Sequence, residues 1–214
     1  EEIDESAITT FCTGSTCTVQ VWHDQSQTGG TGSGNDAEQT TPANQPTIYT
    51  GGQLVTDGGR LALDFDGTDD TFDGTWSIGT TSEFAAFHIV NPTNNNSRRY
   101  LYDLRDANDD GIRLILFEDG TLFFSVDTGD ERSTSFNAGQ QLMFQNYASS
   151  TISVGIDGAT ANTASAPAST SATQNAALYR ETAVADRYYF LGKAQEAIFY
   201  LSDKSTDRTD IEGN

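Results

Sequence analysis

The chain has 214 residues, with 31 acidic against 11 basic side chains, a formal net charge of -20 and only two lysines, Lys193 and Lys204. So negative a field repels nucleic acid and anionic membrane surfaces, which argues against both as partners. No apolar run approaches the roughly 18 residues of a membrane-spanning helix, so no membrane insertion is expected. The length suits one all-β domain over 1–214, and the sequence offers no break that argues for two. An acidic surface also suits a halophilic setting, where salt screens self-repulsion, although ordinary extracellular proteins share it.

In chain order, Glu1 to Glu5 does not read as a signal peptide, and Asp4 caps a predicted short helix through Ser6 to Phe11. Cys12 and Cys17 flank a Gly-Ser turn that brings their sulfurs together, and no histidine nearby completes a zinc ligand set. A disulfide is expected in preference to two free thiols, and with it an extracellular setting. A strand runs Thr18 to Trp22. From Asp24 to Asn35 the chain is a surface loop whose glycines, Gly29 to Gly34, lead into neither a phosphate-binding lysine nor a helix. Pro42 to Pro46 forms an extended connection into a strand at Thr47 to Thr50. In Arg60 to Asp73, Leu61, Leu63 and Phe65 alternate on a strand that enters an Asp-Gly turn, and a second strand leaves through Phe72 towards Trp76.

After Trp76 a period of two persists. Glu83 to Val90 carries Ala85, Phe87 and Ile89 on one face and Phe84, Ala86, His88 and Val90 on the other, as in a central strand covered on both sides. Further strands are predicted at Arg99 to Leu104, Gly111 to Phe117, Thr121 to Val126, Gln140 to Ala148 and Thr151 to Asp157, with a hairpin turn at Glu118-Asp119-Gly120. Residues 159–177, rich in Ala, Ser and Thr, form a long loop or an edge meander. Strands return at Tyr188 to Gly192 and Ala194 to Leu201, and a terminal helical turn begins with Ser202 or Asp203 as cap. Many short strands, regular turns and almost no helix predict an all-β sandwich.

No catalytic constellation stands out. Glycoside hydrolysis needs a carboxyl pair separated by roughly 5 to 9.5 Å, and Glu196 and Asp103 are the acids best placed on predicted strands, each also readable as a rim carboxylate. Asp106-Ala107-Asn108-Asp109-Asp110-Gly111 matches the first six positions of a calcium loop, although Phe117 stands where the twelfth-position Glu belongs. Asp66, Asp69 and Asp70 form a second acidic cluster. Asp106, Asn108 and Asp110, or Asp66, Asp69 and Asp70, are thus candidate Ca2+ ligands, against the alternative of acidic turns that close hairpins. Trp22, Trp76, Tyr100 and Tyr102 have faces suited to the C–H-rich side of a sugar ring, with core packing as the alternative. Arg98 and Arg99, beside Asn94 to Asn96, are the one basic spot and suit a sialic or uronic acid. His23 and His88 have no Ser-Asp partner and read as packing or hydrogen-bonding residues.

Phe11 to Cys17 followed by Val21-Trp22-His23-Asp24-Gln25-Ser26 resembles a segment of fungal α-L-arabinofuranosidase B catalytic domains. With Asn35-Asp36-Ala37, Ala43 to Pro46 and the Phe65 to Asp70 element, it also resembles laminin-G-like modules of phage and archaeal-virus structural proteins. Gly192 to Tyr200, then Ser202-Asp203, Asp207-Arg208 and Ile211-Glu212, is similar to the closing strand and helix of that group. The resemblance implies a concanavalin A-like jelly roll of two antiparallel sheets. It further implies a non-catalytic virion-surface module that attaches to a host glycan or glycoprotein receptor, with other virion subunits or a homo-oligomer as structural partners. A glycosidase and a purely structural assembly module are the alternatives. Two departures weigh against the enzyme: the vicinal Cys-Cys pair of the arabinofuranosidases is missing here, and no position matches their catalytic carboxylates locally.

Overall fold

The computed structural model describes residues 3–26, 35–74, 76–93, 97–127, 130–137, 139–173, 175–181 and 188–213. The expected Gly29 to Gly34 loop and Asn94 to Asn96 lie outside them. Among the described residues two large antiparallel sheets face each other. The first runs, in spatial order, Cys17–Thr18, Thr47–Thr50, Leu63–Asp66, Leu191–Tyr200, Phe84–Pro92, Gln141–Ala148, Thr151–Ile156 and Asn162–Ser165. The second runs Asp130–Ser135, Thr121–Val126, Gly111–Leu116, Arg99–Arg105, Ala177–Leu178, Phe72–Gly74, Ala37–Glu38 and Val21–Trp22. This is a jelly-roll sandwich, and Arg60 to Asp73 is one of the places where the chain crosses between its sheets: Leu63–Asp66 belongs to the first and Phe72–Gly74 to the second.

The period of two sorts the faces. Phe84, Ala86 and Val90 point into the core between the sheets, with Phe65, Phe72, Tyr102, Leu114 and Phe124. Full burial of each such phenylalanine contributes about 1.5–3 kcal/mol. Ala85, Phe87 and Phe144 form a smaller cluster on the outer face of the first sheet, and the C-terminal segment covers it. There Ile211 packs on the cluster, the Arg208 guanidinium lies 4.5 Å from the Phe144 ring centre and donates to the Ala159 carbonyl at 2.8 Å. Among the described residues no helix packs on the outer face of the second sheet.

Several expectations shift. The helix is Glu5–Cys12, and the Asp4 carboxylate accepts from the Ala7 N–H at 3.0 Å. The predicted strand Thr18 to Trp22 is two, one in each sheet, because the chain changes sheets between them. Cys12 and Cys17 are joined in a disulfide. The polar strand Asp130–Ser135 had no hydrophobic alternation to announce it. Residues 159–177 include the edge strand Asn162–Ser165 and Thr170–Ala172, which pairs with Gly79–Thr81. The two predicted strands around Lys193 are one, Leu191–Tyr200, and the terminal helix starts later, at Arg208–Glu212. Asp203 instead accepts the Ser205 N–H at 2.8 Å.

Gly111 begins the strand that pairs with Arg99–Arg105, at a φ of 131° open to glycine. A Cβ there would lie 2.2 Å from the Leu104 carbonyl oxygen and 2.8 Å from the Arg105 Cα, both backbone atoms that cannot step aside. Gly111→Ala is therefore expected to lower stability by about 2–4 kcal/mol, read as a fall in the urea unfolding midpoint. A midpoint unchanged from the parent chain would refute this.

Candidate functional site

Residues directly opposite each other in neighbouring strands share a face of the sheet. In the second sheet one such row is Leu114, Tyr102, Leu178 and Phe72, which is apolar and faces the core. One residue along, the row on the opposite face is Arg113, Asp103, Ala177, Asp73 and Glu38. This outer row is built of charges, with the small Ala177 between the two aspartates.

Arg105 organises it. Its Nε donates to Asp103 Oδ1 at 2.8 Å and its Nη2 to Asp103 Oδ2 at 2.9 Å, a two-pronged pair. The same Nη2 reaches Glu181 Oε1 at 3.3 Å, and Nη1 reaches Asp109. Asp109 also accepts from Arg113 Nη1 at 3.3 Å. Next to Glu181, Arg180 pairs with Asp73. The middle of the network is sealed, with Arg105 1%, Asp103 0% and Glu181 3% exposed, whereas the Asp73 side chain is 55% exposed. Burial opposes the Arg105 charge, but the hydrogen bonds and negative charge of Asp103, with Glu181 beside it, outweigh that and raise its pKa. Burial pushes the Tyr100 phenol up to about 12, so it stays protonated and donates to Glu181 Oε1 at 2.9 Å. The Tyr188 ring stacks on Tyr100 at 6.3 Å, and the Arg98 guanidinium lies 5.5 Å from the Tyr188 ring centre and 4.5 Å from that of Phe117.

The sequence-derived sugar contacts fare unevenly. Arg98 is half-buried at the margin of this face. Tyr100 belongs to the face but is buried, holding Glu181 from below. Tyr102 is a correction: it is fully buried on the inner face, where no sugar reaches it. Arg99 is another, buried with its guanidinium donating to the carbonyls of Thr93, Ser97 and Leu191. Trp22 and Trp76 are half-buried and pack on the core, Trp22 against Phe72 and Tyr179 and Trp76 against Phe199. Glu196 is exposed on the first sheet, away from Asp103. Sequence reasoning missed Arg105, Arg113, Glu181 and Asp73. The alternation of Asp103 and Arg105 with Tyr102 and Leu104 was the available signal for the first.

The two acidic loops also differ. Asp106 to Asp110 closes the hairpin between Arg99–Arg105 and Gly111–Leu116. Within it Asp106 Oδ1 accepts the N–H groups of Asn108 and Asp110 at 2.8 and 3.3 Å, and Asn108 Nδ2 lies 3.5 Å from Asp106 Oδ2. In the other loop, Asp66, Asp69 and Asp70 each bring a carboxylate oxygen within 4.8 Å of the others, a spacing that a cation with oxygen ligands at about 2.3–2.6 Å accommodates. Asp66 Oδ1 caps the N–H groups of Thr68 and Asp69 at 2.7 and 3.4 Å, and Asp70 Oδ2 accepts the Asp66 N–H at 2.9 Å.

No family model matches the sequence, and no curated protein sequence does. Solved structures do resemble it. The native heptameric SAP-like pentraxin from Limulus polyphemus gives a TM-score of 0.58 at 12% identity, over 72% of this chain and 82% of the pentraxin. The CBM40 of the Ruminococcus gnavus IT-sialidase, bound to α2,3-sialyllactose, gives 0.51 at 13% identity, over 60% of this chain and 80% of that one. A GH54 α-L-arabinofuranosidase, in a Glu-to-Gln variant soaked with 4-nitrophenyl α-L-arabinofuranoside, gives 0.72 at 15% identity. That match covers 98% of this chain and 53% of the arabinofuranosidase, so this chain spans about half its length. All three are concanavalin A-like jelly rolls, and this chain has the same fold. Identities this low speak for fold alone.

The Asp66 loop yields a pH prediction. Burial raises the Asp70 pKa from 3.8 to about 6; the Asp66 N–H works against it, and the charges of Asp66, Asp69 and Asp64 add to it. Between those values the folded chain binds more protons than the unfolded chain, so this group's contribution to stability falls as pH rises from about 4 to 6 and stays low above. Asp70→Asn keeps an acceptor for Asp66 and removes the charge. In chelator-treated buffer it is expected to raise the urea midpoint at pH 7 and to leave it unchanged at pH 4; equal effects at both would contradict the assignment.

Proposed function

We propose that this concanavalin A-like jelly roll acts as one domain that binds glycans through the charged outer face of its second sheet, as a non-catalytic attachment module. In the setting implied by the resemblance to phage and archaeal-virus modules, it stands on a virion surface and meets a host glycan or glycoprotein receptor, beside further copies or other subunits. The Cys12–Cys17 disulfide is in keeping with an extracellular location. The observation that carries the reading is the Asp103–Arg105–Glu181 network, which holds the rim pairs Arg113–Asp109 and Arg180–Asp73 from beneath. Fixed guanidinium and carboxylate groups suit sugar recognition, because they offer donors and acceptors in set directions and give up little freedom on binding. With Arg98 at the margin, the face concentrates arginines in a chain of net charge -20. An acidic sugar is the favoured ligand, since a guanidinium grips a carboxylate through two parallel hydrogen bonds. Asp66, Asp69 and Asp70 would hold Ca2+, which would neutralise their mutual repulsion beside the strand crossing.

A glycan array probed with and without calcium tests this reading. Acidic glycans are expected to be retained by the parent chain, with at least ten-fold weaker binding after Arg113→Ala, a substitution at the partly exposed rim. Absence of binding in both conditions would sink it.

A further inference from the structure

The centre of the sandwich contains polar side chains that the charged face does not use. His88 is 1% exposed, and Tyr102 and Gln145 are 0% exposed. Both His88 ring nitrogens, the Tyr102 hydroxyl and both side-chain polar atoms of Gln145 are buried with no hydrogen-bond partner among the described residues. A neutral imidazole carries one donor and one acceptor, and an amide has both kinds of group. His88 is neutral across the physiological range, because burial lowers its pKa to about 3.

The strand register gathers these groups around Ala86. Phe84, Ala86, His88 and Val90 alternate towards the interior of their strand. Gln145 lies directly across from Ala86 on one side and Phe199 on the other, and His88 faces Met143 and Ala197. Gln145 is therefore the diagonal neighbour of His88 on one face of the sheet. From the opposite sheet the Tyr102 ring lies against Phe84 at 5.9 Å, His88 at 5.3 Å and Phe199 at 5.5 Å. These three residues surround Ala86, so Tyr102 reaches the space that the small side chain leaves. Ala197, beside His88, is small as well.

Each buried donor or acceptor left unmet lowers stability, and five such atoms together approach the whole stability of a typical domain. We infer that the interior of the sandwich holds bound water at a site built by His88, Tyr102 and Gln145 around Ala86. Water fits because it both donates and accepts, and a buried water commonly makes about three hydrogen bonds to otherwise unmet groups. The site lies between the sheets, so its occupant is a permanent part of the fold rather than a ligand in exchange with the outer face.

Tyr102→Phe keeps the ring stacked on His88 and removes only the hydroxyl, which makes the sign of its effect diagnostic. If the hydroxyl binds water, its loss lowers the folding equilibrium constant about five-fold or more, the equivalent of about 1 kcal/mol. Were the hydroxyl simply unmet, removing it would leave stability unchanged or raise it, and that outcome overturns the site. Should the variant fail to fold, the parent chain supplies the second measurement. Nuclear Overhauser transfer from water to the His88 and Tyr102 ring protons is expected to carry the sign of a water resident for longer than nanoseconds. No such transfer to either ring refutes the inference.

Discussion

A guanidinium persists in a protein interior only where its donors are met and its charge is balanced, and Arg105 satisfies both conditions with three carboxylates. That requirement reaches far along the chain. Asp103 comes from the same strand, Asp109 from the hairpin turn that follows, and Glu181 from a segment more than seventy residues away, held in turn by Tyr100. Removing any one acid would leave a buried positive charge partly uncompensated, a change of about 3–5 kcal/mol in comparable pairs. The ion network therefore positions the outer face of the second sheet much as the apolar core positions the inner face. The adjacent Gly111 is part of the same constraint, since the strand pairing that aligns Asp103 with Arg113 needs backbone contact closer than any Cβ permits.

The two sheets differ at their outer faces. The first covers its outer apolar cluster with the C-terminal segment, where Arg208 lies over Phe144 and also pairs with Glu212 at 2.7 Å. The second leaves partly exposed carboxylates on either side of its sealed charged core, Asp109 in the hairpin turn and Asp73 across Ala177. The Arg60 to Asp73 crossing ties these halves together. Phe65 in the first sheet packs edge-on against Phe72 in the second at 6.1 Å, and the acidic turn between them must therefore be tight. That tightness draws Asp66, Asp69 and Asp70 together.

How far the sequence revealed this depends on how local each feature is. Alternation marked Phe84–Pro92, Thr121–Val126 and Thr151–Ile156 closely, because their inward residues are apolar apart from His88. The same rule could not separate Tyr102 from Tyr100. A bulge between Tyr100 and Tyr102 sets them opposite the consecutive residues Ile115 and Leu114, so two tyrosines that strict alternation would put on one face point to opposite sides. A bulge leaves no mark in the hydrophobic pattern. Asp103 was legible as an acid on a strand, but its partners were not: Asp73 arrives across Ala177, and Glu181 follows a run of small residues with no period of its own. Long-range pairing brings these charges together, and a single sequence read locally carries no trace of it.

The contrast between the rim and the interior of the network also bears on the acidity of the chain. A net charge of -20 surrounds the arginines with an unfavourable field for any anionic ligand at low ionic strength. Salt at physiological strength limits that field to a Debye length of about 8 Å, short compared with the breadth of a sheet of this size. The sealed Asp103–Arg105–Glu181 core is screened far less than the rim, because water and ions do not enter it. Added salt therefore weakens the long-range repulsion before it weakens the geometry that holds Arg113 and Arg180 in place.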